Sequence, residues 1–174
     1  MPDRFVAAAN QLKRPAYFSS AKHKADLLFK RDGGDPRLVK LTDAVLRAAH
    51  AHLIPVRCFN IYRSREEQAD MLKRGVTKAP PGASPHNFGL AVDLIHAELA
   101  WDMTPDQWRF LAVIVTECAR RQNLRLTWGG TWRWNASPMP LGEVLEGKRG
   151  LGWDPAHFEL ERWRSDPAAT GAAA

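Results

Sequence analysis

Cysteine is scarce in this chain of 174 residues: there are two, Cys58 and Cys118. Neither stands in a CxxC spacing, which excludes a zinc knuckle or a dithiol redox pair. Both sit among apolar neighbours and read as buried free thiols. Long apolar runs are also missing. The longest, Phe110 to Val115, falls far short of the roughly 20 residues of a membrane helix, so no membrane insertion is expected. The start, Met1-Pro2-Asp3-Arg4-Phe5, lacks the basic-then-apolar order of a secretory signal. Synthesis in the cytoplasm is therefore expected, with any action outside it depending on another route of exit. There are no internal repeats, and no βαβ unit with a Gly-rich phosphate loop.

Charge is present but not clustered. The formal net charge is +6, which favours an anionic partner such as a nucleic acid, a cell-wall polymer or a lipid surface. The basic residues are scattered and no nucleic-acid-binding motif is visible, so no nucleic acid is expected as partner. The length predicts one domain over residues 1–165, and the Ala-rich residues 166–174 a flexible tail.

The first 20 or so residues show no clear periodicity. Pro36 to His52 is helical, with Leu38, Leu41, Val45, Ala48 and Ala49 on one stripe. Leu53 to Ile61 reads as a strand. Ser64 and Glu67 form a capping box that opens a helix to about Lys73, stopped at Gly75. Gly89 to Ile95 is strand-like. Thr104-Pro105-Asp106-Gln107 is a second capping box, before a stripe of Trp108, Leu111, Ala112, Val115 and Cys118. Leu124 to Trp128 and His157 to Leu160 read as short strands. Gly129 to Gly152 is long for a connection without an element of its own. The pattern is α+β.

Two segments carry chemistry. In Ser84-Pro85-His86-Asn87-Phe88-Gly89-Leu90-Ala91-Val92-Asp93, a histidine in a turn and an aspartate on the next strand can reach one point. Gly89 is expected to let the chain pass close to that point. In Asp154-Pro155-Ala156-His157, a second imidazole follows a carboxylate by three residues. Two imidazoles and one carboxylate are a common ligand set for catalytic zinc, and the remaining carboxylate can serve as general base. By residue type alone, hydrogen-bonded structural pairs account for the same residues. His50 and His52 are two apart on a helix and face different ways. His23 lies in a Lys-rich, solvated segment. His96, the rival ligand, falls on the opposite side of the strand from Asp93.

The string SPHNFGLAVD resembles the SxHxxGxAxD motif of the LAS zinc peptidases, and Asp154-Pro155-Ala156-His157-Phe158-Glu159 is similar to the family's second motif. The resemblance spans roughly Leu53 to Leu160. It implies a small central antiparallel sheet with helices around it and a zinc site at the sheet edge, as in the LAS and hedgehog folds. It implies one zinc ion per chain on His86, Asp93 and His157, with Asp154 as general base and acid; many members have Glu there. Tyr62-Arg63-Ser64 resembles a family segment whose arginine faces the active site, which makes Arg63 a donor to the substrate carbonyl and its oxyanion. Ser84 matches the motif and either bonds substrate or supports the loop. Trp128-Gly129-Gly130-Thr131-Trp132 looks like the WGGxW segment of the endopeptidase branch, with Trp128 and Trp132 against the substrate. The implied substrate is peptidoglycan or a muropeptide, cut by a monomer at L-alanyl-D-glutamate. The implied setting is a phage or prophage endolysin that reaches the wall through a holin-type pore. The alternatives are a D-alanyl-D-alanine carboxypeptidase and a non-catalytic wall-binding module that keeps the metal.

Overall fold

The computed structural model describes residues 3–26, 31–134 and 136–170. Helix α1 (Asp3–Leu12) and short helix α2 (Ala21–Asp26) precede α3 (Pro36–His50). Strand β1 (Val56–Asn60), helix α4 (Arg65–Lys73) and strand β2 (Ala91–His96) follow. Then come the long α5 (Pro105–Arg121), β3 (Leu126–Trp128), a short α6 (Leu141–Leu145), β4 (His157–Leu160) and α7 (Pro167–Thr170). The strands form one antiparallel sheet in the order β1-β2-β4-β3. This is the expected α+β architecture.

The helix ends follow local chemistry. Both bonds of each capping box form: Ser64 with Glu67 opens α4, and Thr104 with Gln107 opens α5. Asp35 caps α3 by accepting the Arg37 N–H. Leu38, Leu41, Val45 and Ala49 of α3 are fully buried, as are Ala112 and Val115 of α5. Cys118 is only half-buried and Ala119 takes the inward position after Val115. Cys58 is buried, and both thiols are free.

The N-terminal region is more ordered than its sequence indicates. Helix α1 buries Phe5, Ala8 and Leu12, at spacings of three and four. One of those three is alanine, too weakly apolar to stand out as a stripe. His23, expected in solvent, packs instead on Tyr17, Phe18 and His50.

The stretch from Gly129 to Gly152 contains a 3-10 turn (Gly129–Thr131) and helix α6, which buries Val144. Arg109 of α5 holds this segment from beneath. Its Nε donates to the Val144 carbonyl at 2.8 Å and Nη2 to the Arg149 carbonyl at 3.1 Å. One buried guanidinium thus satisfies carbonyls that a short helix end leaves open. Asp166 is likewise tied down. It accepts from Arg37 at 2.7 Å and from the Ala168 N–H at 3.1 Å, and α7 follows. Of the expected tail, residues 171–174 lie outside the described residues.

Candidate metal centre

The sheet register builds the site. Asp93 on β2 lies directly opposite His157 on β4. Directly opposed residues on neighbouring strands share a face, so the carboxylate and the imidazole meet. Asn60 faces Asp93 from the other side, after an irregularity in β1. The site therefore sits where the two central strands run together at one end of the sheet.

His86 arrives from a 3-10 turn, Pro85–Phe88. The Ser84 hydroxyl accepts the His86 backbone N–H at 3.4 Å, so Ser84, itself buried, supports the loop. Gly89 ends the turn in the left-handed region, at φ 68°. A Cβ there would lie 2.1 Å from the Gly33 carbonyl oxygen. The close approach expected at Gly89 is thus to the backbone before α3, not to the metal point. The Asp35 N–H donates to the Gly89 carbonyl at 3.1 Å and completes that seam.

His86, Asp93 and His157 converge. Asp93 Oδ1 is 3.1 Å from His157 Nδ1 and 3.3 Å from His86 Nε2, and the two imidazole nitrogens are 3.2 Å apart. Two donors bound at about 2.05 Å and subtending a tetrahedral angle lie about 3.3 Å apart. The cluster therefore has the edge lengths of a tetrahedral metal site, and its residues fit the ion they were expected to hold. The ring orientations agree. The Ile61 carbonyl lies 2.9 Å from His86 Nδ1 and, as an acceptor, places the ring proton there, leaving Nε2 bare. Glu159 Oε2 lies 3.2 Å from His157 Nε2 and fixes its proton, leaving Nδ1 for the cluster. Such outer partners orient metal-binding imidazoles.

Without an ion the cluster polarises itself. For His157, burial works to lower the pKa, but hydrogen bonds to Asp93 and Glu159 overcome it and push the group up to about 10. For Asp93, burial works to raise the pKa, but the charge of His86 and the hydrogen bond from His157 hold the carboxyl far below its usual range. The metal-free pair is an imidazolium and a carboxylate.

Asp154 stands beside this cluster. Among the described residues its carboxylate has no hydrogen-bond or ion-pair partner. Burial pushes its pKa up to about 6; His157 opposes that shift and Asp93 adds to it. Trp128 and Gly129 hold its backbone. Trp128 Nε1 donates to the Pro155 carbonyl at 2.8 Å, and a Cβ on Gly129 would meet the Asp154 carbonyl oxygen at 2.2 Å. Trp128 itself is buried and stacks on Phe158 at 6.2 Å, so it offers no open ring face to a substrate. Trp132, past the turn, packs its ring 4.9 Å from that of His157 and is half-exposed.

Gly129→Ala is expected to cost about 1–3 kcal/mol of stability, because its Cβ must push the Asp154 turn away. Metal content should survive while any turnover falls at least about tenfold, as misplacement of a reacting group does. Unchanged turnover would show that the turn carries no catalytic group.

Arg63 is buried beside Asp93, with Nη2 at 3.7 Å from Oδ2. Gln68, fully buried on α4, accepts from Arg63 Nη1 at 2.9 Å and donates to the Ala79 carbonyl at 2.7 Å. Asn87 donates to the Arg63 carbonyl at 2.9 Å and accepts the Gly82 N–H. Gln68, Asn87 and Glu159 are thus positioning residues that no sequence motif assigns to the site. A buried polar side chain one turn after the Ser64 cap was the available signal for Gln68. His96, the rival ligand, lies elsewhere. It bonds the Leu12 carbonyl through Nε2 and accepts the Glu98 and Leu99 N–H groups. His50 bonds the Val56 carbonyl.

No family model matches the chain, and no curated protein does. A solved structure does: the L-Ala D-Glu endopeptidase ChiX of Serratia marcescens. The TM-score is 0.55 and the sequences are 26% identical, covering 81% of this chain and 87% of that chain.

Proposed function

We propose that this chain is a zinc-dependent peptidase that hydrolyses the L-alanyl-D-glutamate bond of the peptidoglycan stem peptide. The observation that carries the reading is the tetrahedral spacing of His86, Asp93 and His157, beside the half-buried Asp154 carboxylate, which has no hydrogen-bond or ion-pair partner among the described residues. The likeness to an L-Ala D-Glu endopeptidase supports the choice of bond. A carboxylate half withdrawn from water and left without a partner is costly. A module that only bound the wall would have no use for one.

His86, Asp93 and His157 are the residues to hold the zinc. When bound, the ion acidifies a water and polarises the scissile carbonyl. Asp154 takes the proton from the attacking water and returns it to the leaving nitrogen as the amide breaks. Arg63, held by Gln68, donates to the carbonyl oxygen as negative charge builds there. Ser84 acts through the His86 loop. An endolysin role belongs to the same reading, since a chain of net charge +6 is drawn to an anionic envelope.

Incubating the zinc-loaded protein with disaccharide pentapeptide, whose stem ends in D-alanyl-D-alanine, and weighing the products tests the bond. Release of the disaccharide bearing alanine alone is the expected result. Loss of the terminal D-alanine with the L-Ala-D-Glu bond intact would replace this reading with a carboxypeptidase.

A further inference from the structure

A cleft of about 520 Å³ opens beside the metal centre, lined by Trp132, Arg133, Trp134, Met139, Leu151 and Trp153 among others. Three tryptophans in one cleft are unusual for a surface. Trp134 is 60% exposed and Trp153 58%. Exposed apolar surface gathered in one place marks a binding site. The rings form a chain that begins at the reacting centre. Trp132 lies 4.9 Å from His157, Trp153 lies 5.0 Å from Trp132, and Trp134 lies 6.5 Å from Trp153. Trp153 also adjoins Asp154 in sequence. Lys78 sits 3.6 Å over the Trp134 ring and holds it from one face.

We propose that this tryptophan cleft binds the sugar ring to which the stem peptide is attached. The inference rests on the peptidase reading above. In a stem peptide, the alanine before the scissile bond is joined through a lactyl ether to an N-acetylmuramyl pyranose. At about 3.5 Å for each extended residue, the alanine and the lactyl link place the sugar roughly 7–10 Å from the scissile carbon. Two ring-to-ring steps of 4.9 and 5.0 Å carry the chain from His157 through Trp132 to Trp153, within that reach. The chemistry matches as well. A pyranose presents a flat face of C–H groups, which packs on an indole face while its hydroxyls stay in water. The other half of the substrate, from D-glutamate onward, carries carboxylates. The lining is otherwise neutral and mostly apolar, with Arg133 its one charged side chain among the described residues and Lys78 over Trp134, so the indole faces are what select the sugar.

The test uses the full chain carrying Asp154→Asn, so that ligands persist. Disaccharide tetrapeptide and the same tetrapeptide without sugar are titrated by calorimetry. The sugar-bearing ligand is expected to bind about tenfold tighter, the scale of a good aromatic contact. In Trp134→Ala and in Trp153→Ala, made in the same background, that ratio should fall toward one. Trp153→Phe should keep part of it. Both side chains are exposed, so the thermal midpoint checks that the fold survives. An unchanged ratio overturns the proposal, as does an equal loss for both ligands or binding of neither. Failure of the unmodified chain to cleave, with the ratio intact, counts against the peptidase reading alone.

Discussion

Asp154→Asn is expected to abolish most turnover, by about a thousandfold, while making the metal-free protein more stable above pH 6. The first effect follows from losing the group proposed to move the proton, a role that general acid–base catalysis values at about 10²–10⁴. The second follows from the burial of its carboxylate. Burial raises its folded pKa from 3.8 to about 6. The folded state therefore binds that proton more tightly than the unfolded state does. Its contribution to stability is complete below the unfolded value of 3.8 and is lost as pH rises through about 6. Above that, the folded chain carries a partly buried charge at a cost of at most about 3 kcal/mol. Asparagine keeps the shape and removes the charge. Thermal midpoints of the two metal-free proteins should agree near pH 4 and separate by about 5–10 °C at pH 8, with the variant higher. A variant that melts lower at pH 8 would mean that Asp154 holds the fold together, and the general-base assignment would fail. Asp154→Glu should recover part of the turnover, because it restores the carboxyl group.

Local rules made much of this fold legible. Both capping boxes form as their spacing requires, and β4 runs from His157 to Leu160 as its residues indicate. The opposition of Asp93 and His96 across β2 follows from strand alternation, and it sorts the cluster from its rival. What stayed hidden depends on contacts between distant segments. Helix α6 is five residues long and is held by Arg109 from another helix, so its own sequence says little. Gly89 is needed for a seam with Gly33, fifty-odd residues earlier, which no local pattern reveals.

The same limit applies within the site. Trp128 and Trp132 belong to one short segment and share a residue type, yet one is buried under Pro155 and the other borders the open cleft. The difference is the 3-10 turn between them, which the sheet register places. Gln68 and Glu159 are not singled out by any local pattern, because their role is to orient a neighbour. Only coordinates show that Gln68 reaches Arg63, or that Glu159 fixes the His157 ring.

Metal binding should release close to one proton per ion at neutral pH, and affinity should rise about tenfold for each pH unit. In the metal-free protein, His157 keeps its Nδ1 proton up to about pH 10, since Asp93 and Glu159 together outweigh the burial that would remove it. The raised pKa is itself a stabilising contribution, present in full below the unfolded value of 6.5 and lost as pH rises through about 10. A metal ion must displace that proton to reach Nδ1. The Ile61 carbonyl orients the His86 ring so that its Nε2 faces the cluster. Calorimetry with zinc in two buffers of different ionisation enthalpy gives the proton count directly. Glu159→Gln should weaken affinity about 10- to 100-fold, the usual effect of losing an outer partner. It should also reduce the proton release, since the imidazolium loses one of its two anchors. His86→Ala should lose the ion outright, along with the rise in thermal midpoint that the ion brings. Release of no proton, with affinity flat from pH 6 to 9, would place the ion somewhere other than between Asp93 and His157.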